Sequence, residues 1–302
     1  MTDTGVLPDE GDHQLLQGVE AVPRTQWQLF RRRFFRHRLA MVGLAILVGL
    51  LLFCFSAEWL APYENRPDLL REPKGPSGKH WFGVDLAGKD VLTSIMYAGQ
   101  ISLKIGLFTS AISTVVGTVA GAFAGYFGGI LDQLLMRLTD MFLLLPALVV
   151  LAVALQRFRG SDWGIILTLA GLGWMGIARI VRAQVLSLKE KEFVEAARAL
   201  GASPVRIIFR HILPNLVGTV MVNASLAVAG AIIAESTLSF LGFGVQPPKS
   251  SWGKMLADGK ESISTKAYLI YFPGLFIILV TLAVNFLGDG LRDAFDPQAK
   301  KS

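Results

Sequence analysis

Long apolar runs separated by short charged segments set the plan of the chain. The first, LAMVGLAILVGLLLFCFSAEWLA, begins at Leu39, and a run of roughly 20 apolar residues is enough to cross a bilayer as a helix. Five more lie at about 101–126, 135–155, 163–181, 216–241 and 268–288, each of spanning length at about 1.5 Å of rise per residue. The run STVVGTVAGAFAGYFGG is dense in small residues, which suits helices that approach closely inside a membrane. The pattern predicts an all-α membrane protein with six transmembrane helices and both termini on one side. Residues 1–23 carry Asp3, Asp9, Glu10, Asp12 and Glu20 without an apolar period. They read as a disordered tail. A cleaved secretory signal would have a shorter apolar core and would not follow such a polar lead, so the first helix is expected to be retained.

Charge supplies the orientation. Arg31, Arg32, Arg33, Arg36 and Arg38 precede the first span and place the termini in the cytoplasm. The same topology puts residues 182–215 on that side, and this segment holds Arg182, Lys189, Lys191, Arg198, Arg206 and Arg210. Within it, KEFVEAARALGASPVRIIFRHILPN at 191–215 predicts two short helices. From Glu192 to Leu200 the pattern is amphipathic, with Phe193, Val194, Ala197 and Leu200 on one face. Gly201 stops this helix; Ser203 and Pro204 are N-cap and first-turn residues for a second that runs to Pro214. The pair forms a knob suited to docking a partner, although a solvated basic loop at the lipid headgroups has the same composition.

Composition excludes several classes. At 52% hydrophobic and 17% charged over 302 residues, the chain is too apolar for an ordinary soluble domain. Its net charge of +6 follows from basic residues beside the spans and calls for no nucleic acid. The one cysteine, Cys54, lies in the first span and forbids an intrachain disulfide. His13, His37, His80 and His211 have no ligand spacing, so no metal site is predicted. Motifs for hydrolases and for Cys or Ser nucleophiles are missing.

One stretch imitates a nucleotide site. GVDLAGKD at 83–90 has the G-x-x-x-x-G-K spacing of a phosphate loop, but Asp90 replaces the magnesium-binding Ser or Thr and would repel a triphosphate. The residues before it read as loop, and the topology places it outside the cell. Its glycines and Asp85 are expected to shape a turn leading into an interfacial helix that starts near Asp90.

Polar groups within the spans are the remaining candidates. Arg137, Asp140 and Arg179 lie near span ends and read as paired or snorkelling groups. Glu235 is deeper and has two readings: it orients the neighbouring LSFLGFG bend, or it lines a path and meets a cationic amino end. Pro146 and Pro273 interrupt their helices as kinks or hinges. Asn223 and Asn285 are expected to bond helix to helix. VQPPKSSWGKMLADGKES at 245–262 offers aromatic and basic groups to the outside, as a docking face or a plain lid.

The run EAARALG, closed by ILP, resembles the EAA loop of binding-protein-dependent ABC importer permeases. FRRRFFRHRLAMVGLAIL, LAPY, HWFGVDLAGKDVLTSIMYAGQISL, GYFGGILDQLLMRLTDMFLLLP, LSFLGFGVQPPKSSWGKML and NFLGDGLRDAFDP are similar to the second, C-type permease subunit of dipeptide and oligopeptide importers. His211 departs from the broad consensus, and Lys89 stands where many relatives have Arg. The resemblance implies a type I ABC importer permease fold divided as tail (1–23), first helix with an external loop (24–98) and core permease domain (99–302). It further implies a heterodimer with a homologous permease, two ATP-binding-cassette ATPases and an extracytoplasmic substrate-binding protein. The whole would sit in the bacterial inner membrane. ATP and Mg would sit on the ATPases, with no cofactor on this chain, which would itself be non-catalytic. Glu195, Ala196, Ala197, Gly201 and Pro214 would couple to an ATPase, and Glu235, Asn223 and Pro146 would serve the path or its gating. Peptide, nickel chelate, glutathione and haem all remain open as cargo. A self-sufficient channel or secondary transporter is the alternative from another class, and an integral membrane enzyme is a third.

Overall fold

The computed structural model describes residues 26–158 and 161–295; the expected tail at 1–23 lies outside them. Helices α1 (Gln26–Arg36) and α2 (Arg38–Phe55) meet at His37. The His37 Nδ1 accepts from the Ala40 amide at 3.1 Å and so caps α2. That leaves the N–H on Nε2, which faces Asp293 at 3.1 Å and ties the start of the first span to the end of the last. A short helix α3 (Ala57–Leu60) and a loop lead to α4 (Val91–Phe127).

At about 1.5 Å per residue α4 is about 55 Å long, well beyond a bilayer core of about 30 Å. Gln100 Nε2 donates to the Cys54 carbonyl at 2.8 Å, so the first turns of α4 stand beyond the end of α2. Here the structure differs from the sequence reading. The helix beginning at Asp90 is not a separate interfacial piece, because nothing in 91–101 breaks it before the span begins.

Small residues fuse α4 to α7 (Asp162–Leu188). A Cβ at Gly117 would sit 2.6 Å from the Trp174 carbonyl oxygen, one at Gly125 2.9 Å from that of Arg182, and one at Gly121 against that of Ala178. Spaced by four, these glycines form one face through which the two backbones touch. The expected third span is instead two helices, α5 (Gly129–Leu143) and α6 (Ala147–Gln156), bent by 90° at Pro146. Among the described residues five helices are thus long and apolar enough to cross a membrane, and six spans result if the bent pair is one. Pro273 has no such effect: α12 (Tyr268–Phe295) continues through it.

The second helix of the predicted knob also differs. Beyond α8 (Glu192–Ala199), α9 (Pro204–Ile207) passes through a π-helical turn at Ile208–Ile212 straight into α10 (Leu213–Phe240). Pro214 therefore terminates nothing. A proline removes one helical N–H; the wider turn, in which the Leu213 amide reaches the Ile208 carbonyl, takes up the defect and lets the rod run on. After α10 the chain forms α11 (Trp252–Gly259) before α12. Trp252 is fully buried, its indole donating to the Ile95 carbonyl at 3.0 Å and its amide to Ser102 Oγ at 3.1 Å.

Candidate functional site

Helix α8 is only two turns long and stands clear of the bundle at one end. Glu192 and Glu195 occupy its first turn, where the helix dipole favours negative charge. Val194 and Ala197 are buried against Ile207, Ile208 and Ile212 of the rod and Val181 and Val185 of α7. Phe193 and Leu200, assigned by the pattern to the same face, are 41% and 89% exposed. The seat is an i, i+3 stripe too narrow to include Phe193, and Leu200 already lies at the C-cap.

Gly201 closes α8 at φ +78°. Its amide reaches the Arg198 carbonyl and that of Ala202 reaches Ala197, each at 3.0 Å, the Schellman pattern that a left-handed residue permits. Ser203 Oγ then accepts from the Arg206 amide at 3.4 Å and opens α9. Glu195 and Ala196 face solvent, and Leu200, Val205 and Phe209 are exposed as well. The exposed surface of this segment thus mixes large apolar groups with charge. Of the proposed coupling residues, Ala197 points inward; Glu195, Ala196, Gly201 and Pro214 are accessible, Pro214 on the rod itself.

Two ion pairs hold α5 to α7 near the same end. Arg179 bonds Asp140 and also Thr139 Oγ1 at 3.3 Å, and Arg182 forms a two-pronged pair with Asp132. Arg137 is exposed and forms no ion pair among the described residues. The sequence reading had Arg182 as a loop charge and missed Asp132. Its signal was the spacing: two carboxylates two turns apart on one helix, two arginines one turn apart on another.

At the opposite end Glu235 is fully buried. Its Oε1 accepts from Ser239 and Ser251 at 2.6 Å each, and Ser251 Oγ also caps α11 through the Lys254 amide at 3.2 Å. Ser239 Oγ in turn accepts from the Val245 amide at 3.1 Å. The carboxylate therefore sits at the LSFLGFG bend and joins it to α10 and α11. Asn223 bonds the Thr219 carbonyl of its own helix at 2.8 Å rather than a neighbouring helix, and Asn285 makes no side-chain hydrogen bond among the described residues. Asp162, unnoticed in the sequence, lies between Lys249 at 2.9 Å and Lys104 at 3.2 Å.

The phosphate-loop lookalike is closed on itself. Asp85 Oδ1 accepts from the Ala87 and Lys89 amides at 2.8 Å each, and burial raises its pKa above the usual carboxylate value despite those bonds. Asp90 Oδ1 caps α4 at Thr93, and its Oδ2 meets His80 Nδ1 at 2.8 Å. The amides that would cradle a phosphate are spent on the loop's own carboxylate. Among the described residues no three His, Cys, Asp or Glu side chains come close enough together to hold a metal ion.

A cavity of about 320 Å³ lies where α5 breaks from α6, between α4, α7 and α10. Lipid-length helices with a mid-span cavity, a broken span and an exposed knob at one end suit a multi-pass membrane transporter. The chain belongs to the binding-protein-dependent transport system inner membrane components, whose family model matches residues 117–301. Residues 25–73 match the N-terminal transmembrane domain of oligopeptide transport permease C.

Curated relatives agree along nearly the full length. The oligopeptide transport system permease protein OppC of Haemophilus influenzae is 42% identical over 286 residues, covering 94% of this chain and 92% of that one. The glutathione transport system permease protein GsiD of Shigella flexneri is 42% identical over 280 residues, covering 92% of each. Among solved structures, the MetNI methionine ABC transporter in an inward-facing form matches with a TM-score of 0.53. That match is 18% identical and covers 65% of this chain and 94% of that one, a likeness of fold. The protein is thus a multi-pass inner-membrane component of an ABC importer.

Proposed function

We propose that this chain pairs with a homologous permease subunit to enclose a path for short peptides. The cargo reading draws on OppC and GsiD, whose names specify oligopeptides and glutathione; glutathione is itself a tripeptide. The α8 end faces the cytoplasm, as the arginines before α2 favour. There the Phe193, Leu200, Val205 and Phe209 surface seats against one of two partner ATPases, which alone bind ATP and Mg. Glu195 pairs with a basic group on that ATPase, and Ala196 keeps the exposed face flat. Gly201 holds the turn. A binding protein delivers cargo at the α11 end.

The observation that carries this reading is that α8 buries only Val194 and Ala197 and leaves its larger apolar groups in solvent, which points to a missing partner. ATP-driven closure would move the knob and, through the continuous Pro204–Phe240 rod, swing the spans between inward-open and outward-open states. The domain division expected from the sequence, with 99–302 as the core, enters this scheme with its boundary falling inside the continuous α4. Replacing Glu195 and Gly201 together in the reconstituted complex should abolish ATP-dependent peptide uptake while the ATPases still bind nucleotide. Full uptake with normal coupling would remove the knob from the mechanism. Flux through the purified chain alone would favour a self-sufficient channel.

A further inference from the structure

The cavity at the α5–α6 break has a floor and a mouth. Thr109 and Ser113 of α4 are 4% and 1% exposed and lie on the floor with Leu169 and Ala231. Leu143, Leu145, Ala147 and Gly230 are exposed and frame the mouth. The Thr109 and Ser113 hydroxyls have no hydrogen-bond partner among the described residues. The hydroxyls of Thr93, Ser94, Thr114, Thr118 and Thr281 are buried and unpartnered too, but none of these residues lines this cavity; elsewhere Ser110 Oγ donates to the Ala224 carbonyl at 2.7 Å, and Thr168 and Thr237 bond back to their own helices. A helical Thr or Ser with a free choice back-bonds in that way. Two buried hydroxyls left open toward one cavity therefore point to something that completes them.

Depth and exposure narrow what that is. From the level of Gln100, which bonds the end of α2, Ser113 lies about 20 Å along α4, and about 20 Å remain to Phe127. The cavity is at mid-bilayer. The helical ladder is interrupted across Leu144–Pro146 at its mouth, and lipid does not tolerate broken backbone at that depth, whereas a protein-lined aqueous path does. Among the described residues lining it there is no charged side chain. A cavity of about 320 Å³ is at the small end of ligand pockets, suited to one bulky side chain and its flanking amide rather than a whole oligopeptide.

We propose that this cavity is a transient subsite for one uncharged, apolar side chain of the cargo, with Thr109 and Ser113 donating to the adjoining peptide carbonyl. This rests on the peptide reading above. The site is therefore a specificity element within the permease itself, beyond any selection by a binding protein. It disfavours a charged side chain, which would lose its hydration without gaining a partner.

Gly230→Leu tests it, since an added Cβ there meets nothing within 4 Å and the bulk lands at the mouth. In the reconstituted complex, trialanine uptake should stay within about twofold, while uptake of the analogue with a central Phe falls about tenfold, the cost of a blocked apolar pocket. Equal loss of both peptides, or of neither, overturns the proposal. A wild-type complex that carries neither peptide removes the peptide reading and the subsite with it, an outcome distinct from unselective transport.

Ser113→Cys supplies a second readout with only a sulfur-for-oxygen exchange. Alkylation of this thiol by N-ethylmaleimide should be slowed about fivefold by the Phe peptide and unaffected by trialanine, as expected of an occupied apolar pocket. Wild type, whose one thiol, Cys54, is buried, sets the background. Identical alkylation rates with the two peptides would show that the cavity does not receive cargo.

Discussion

Val194 is the residue on which the attachment of the knob depends most. It is fully buried, and with Ala197 it forms the whole apolar seat of α8. Val194→Ala removes two methyl groups. Their transfer to water costs about 0.8 kcal/mol each, and a residual void of roughly 50 Å³ adds about 1 kcal/mol. A local loss of about 2–3 kcal/mol raises the population in which α8 is unseated by about thirtyfold or more. The spans are untouched, so expression and thermal stability of the complex should hold. Amide hydrogen exchange at Ala197 to Gly201 should accelerate by the same factor, and peptide uptake per ATP should fall because the lever slips. Phe193→Ala and Leu200→Ala supply the contrast: both side chains are exposed, so exchange in α8 should stay slow while ATPase association weakens. Unchanged exchange in Val194→Ala, or loss of exchange protection in Leu200→Ala, would refute the seating described here.

Other perturbations separate the remaining contacts. Gly121→Val places a side chain against the Ala178 backbone and should separate α4 from α7, costing about 3 kcal/mol or more as an overpacked backbone contact, seen as lost folded protein in detergent. Arg182→Ala strands Asp132, which is only 15% exposed, and should destabilise by about 1–3 kcal/mol; adding Asp132→Ala should restore part of that, measured as a double-variant cycle of melting temperatures. Asp85 tests the loop by pH. Burial raises its pKa, so the folded state holds the proton more tightly, and stability falls as pH rises from the unfolded to the folded pKa. Asp85→Asn keeps the acceptor for Ala87 and Lys89 and should flatten that acid-range dependence, read as proteolysis of the 83–90 loop across pH.

Apolar length made the spans legible, and the small residues of STVVGTVAGAFAGYFGG foretold a close helix contact without naming α7 as its partner. Neither signal carries the 90° break at Pro146, since Pro273 has the same chemistry and leaves α12 unbroken. The difference lies in tertiary support. Pro273 is buried in its helix, whereas Pro146 is exposed, between the cavity-lining Leu145 and Ala147. Pro214 misled for a related reason. A proline after a basic segment reads as a stop, but the π-helical turn before it depends on how Ile207, Ile208 and Ile212 pack under α8, which no local pattern displays.

That turn explains why the knob and the far end of the molecule belong to one element. From Pro204 to Phe240 the rod is continuous and about 55 Å long at about 1.5 Å per residue. One end receives α8 through Ile207, Ile208 and Ile212. The other carries Glu235, which gathers Ser239 and Ser251 and so fixes the LSFLGFG bend and the cap of α11. Had Pro214 ended a separate helix, a push on α8 would have been absorbed at a hinge. With the defect taken up inside the helix, displacement at Val194 has a rigid route to Ser251. Of the two sequence readings of Glu235, orientation of the bend matches its bonds. The carboxylate is fully enclosed in this conformation, between α10 and the cap of α11.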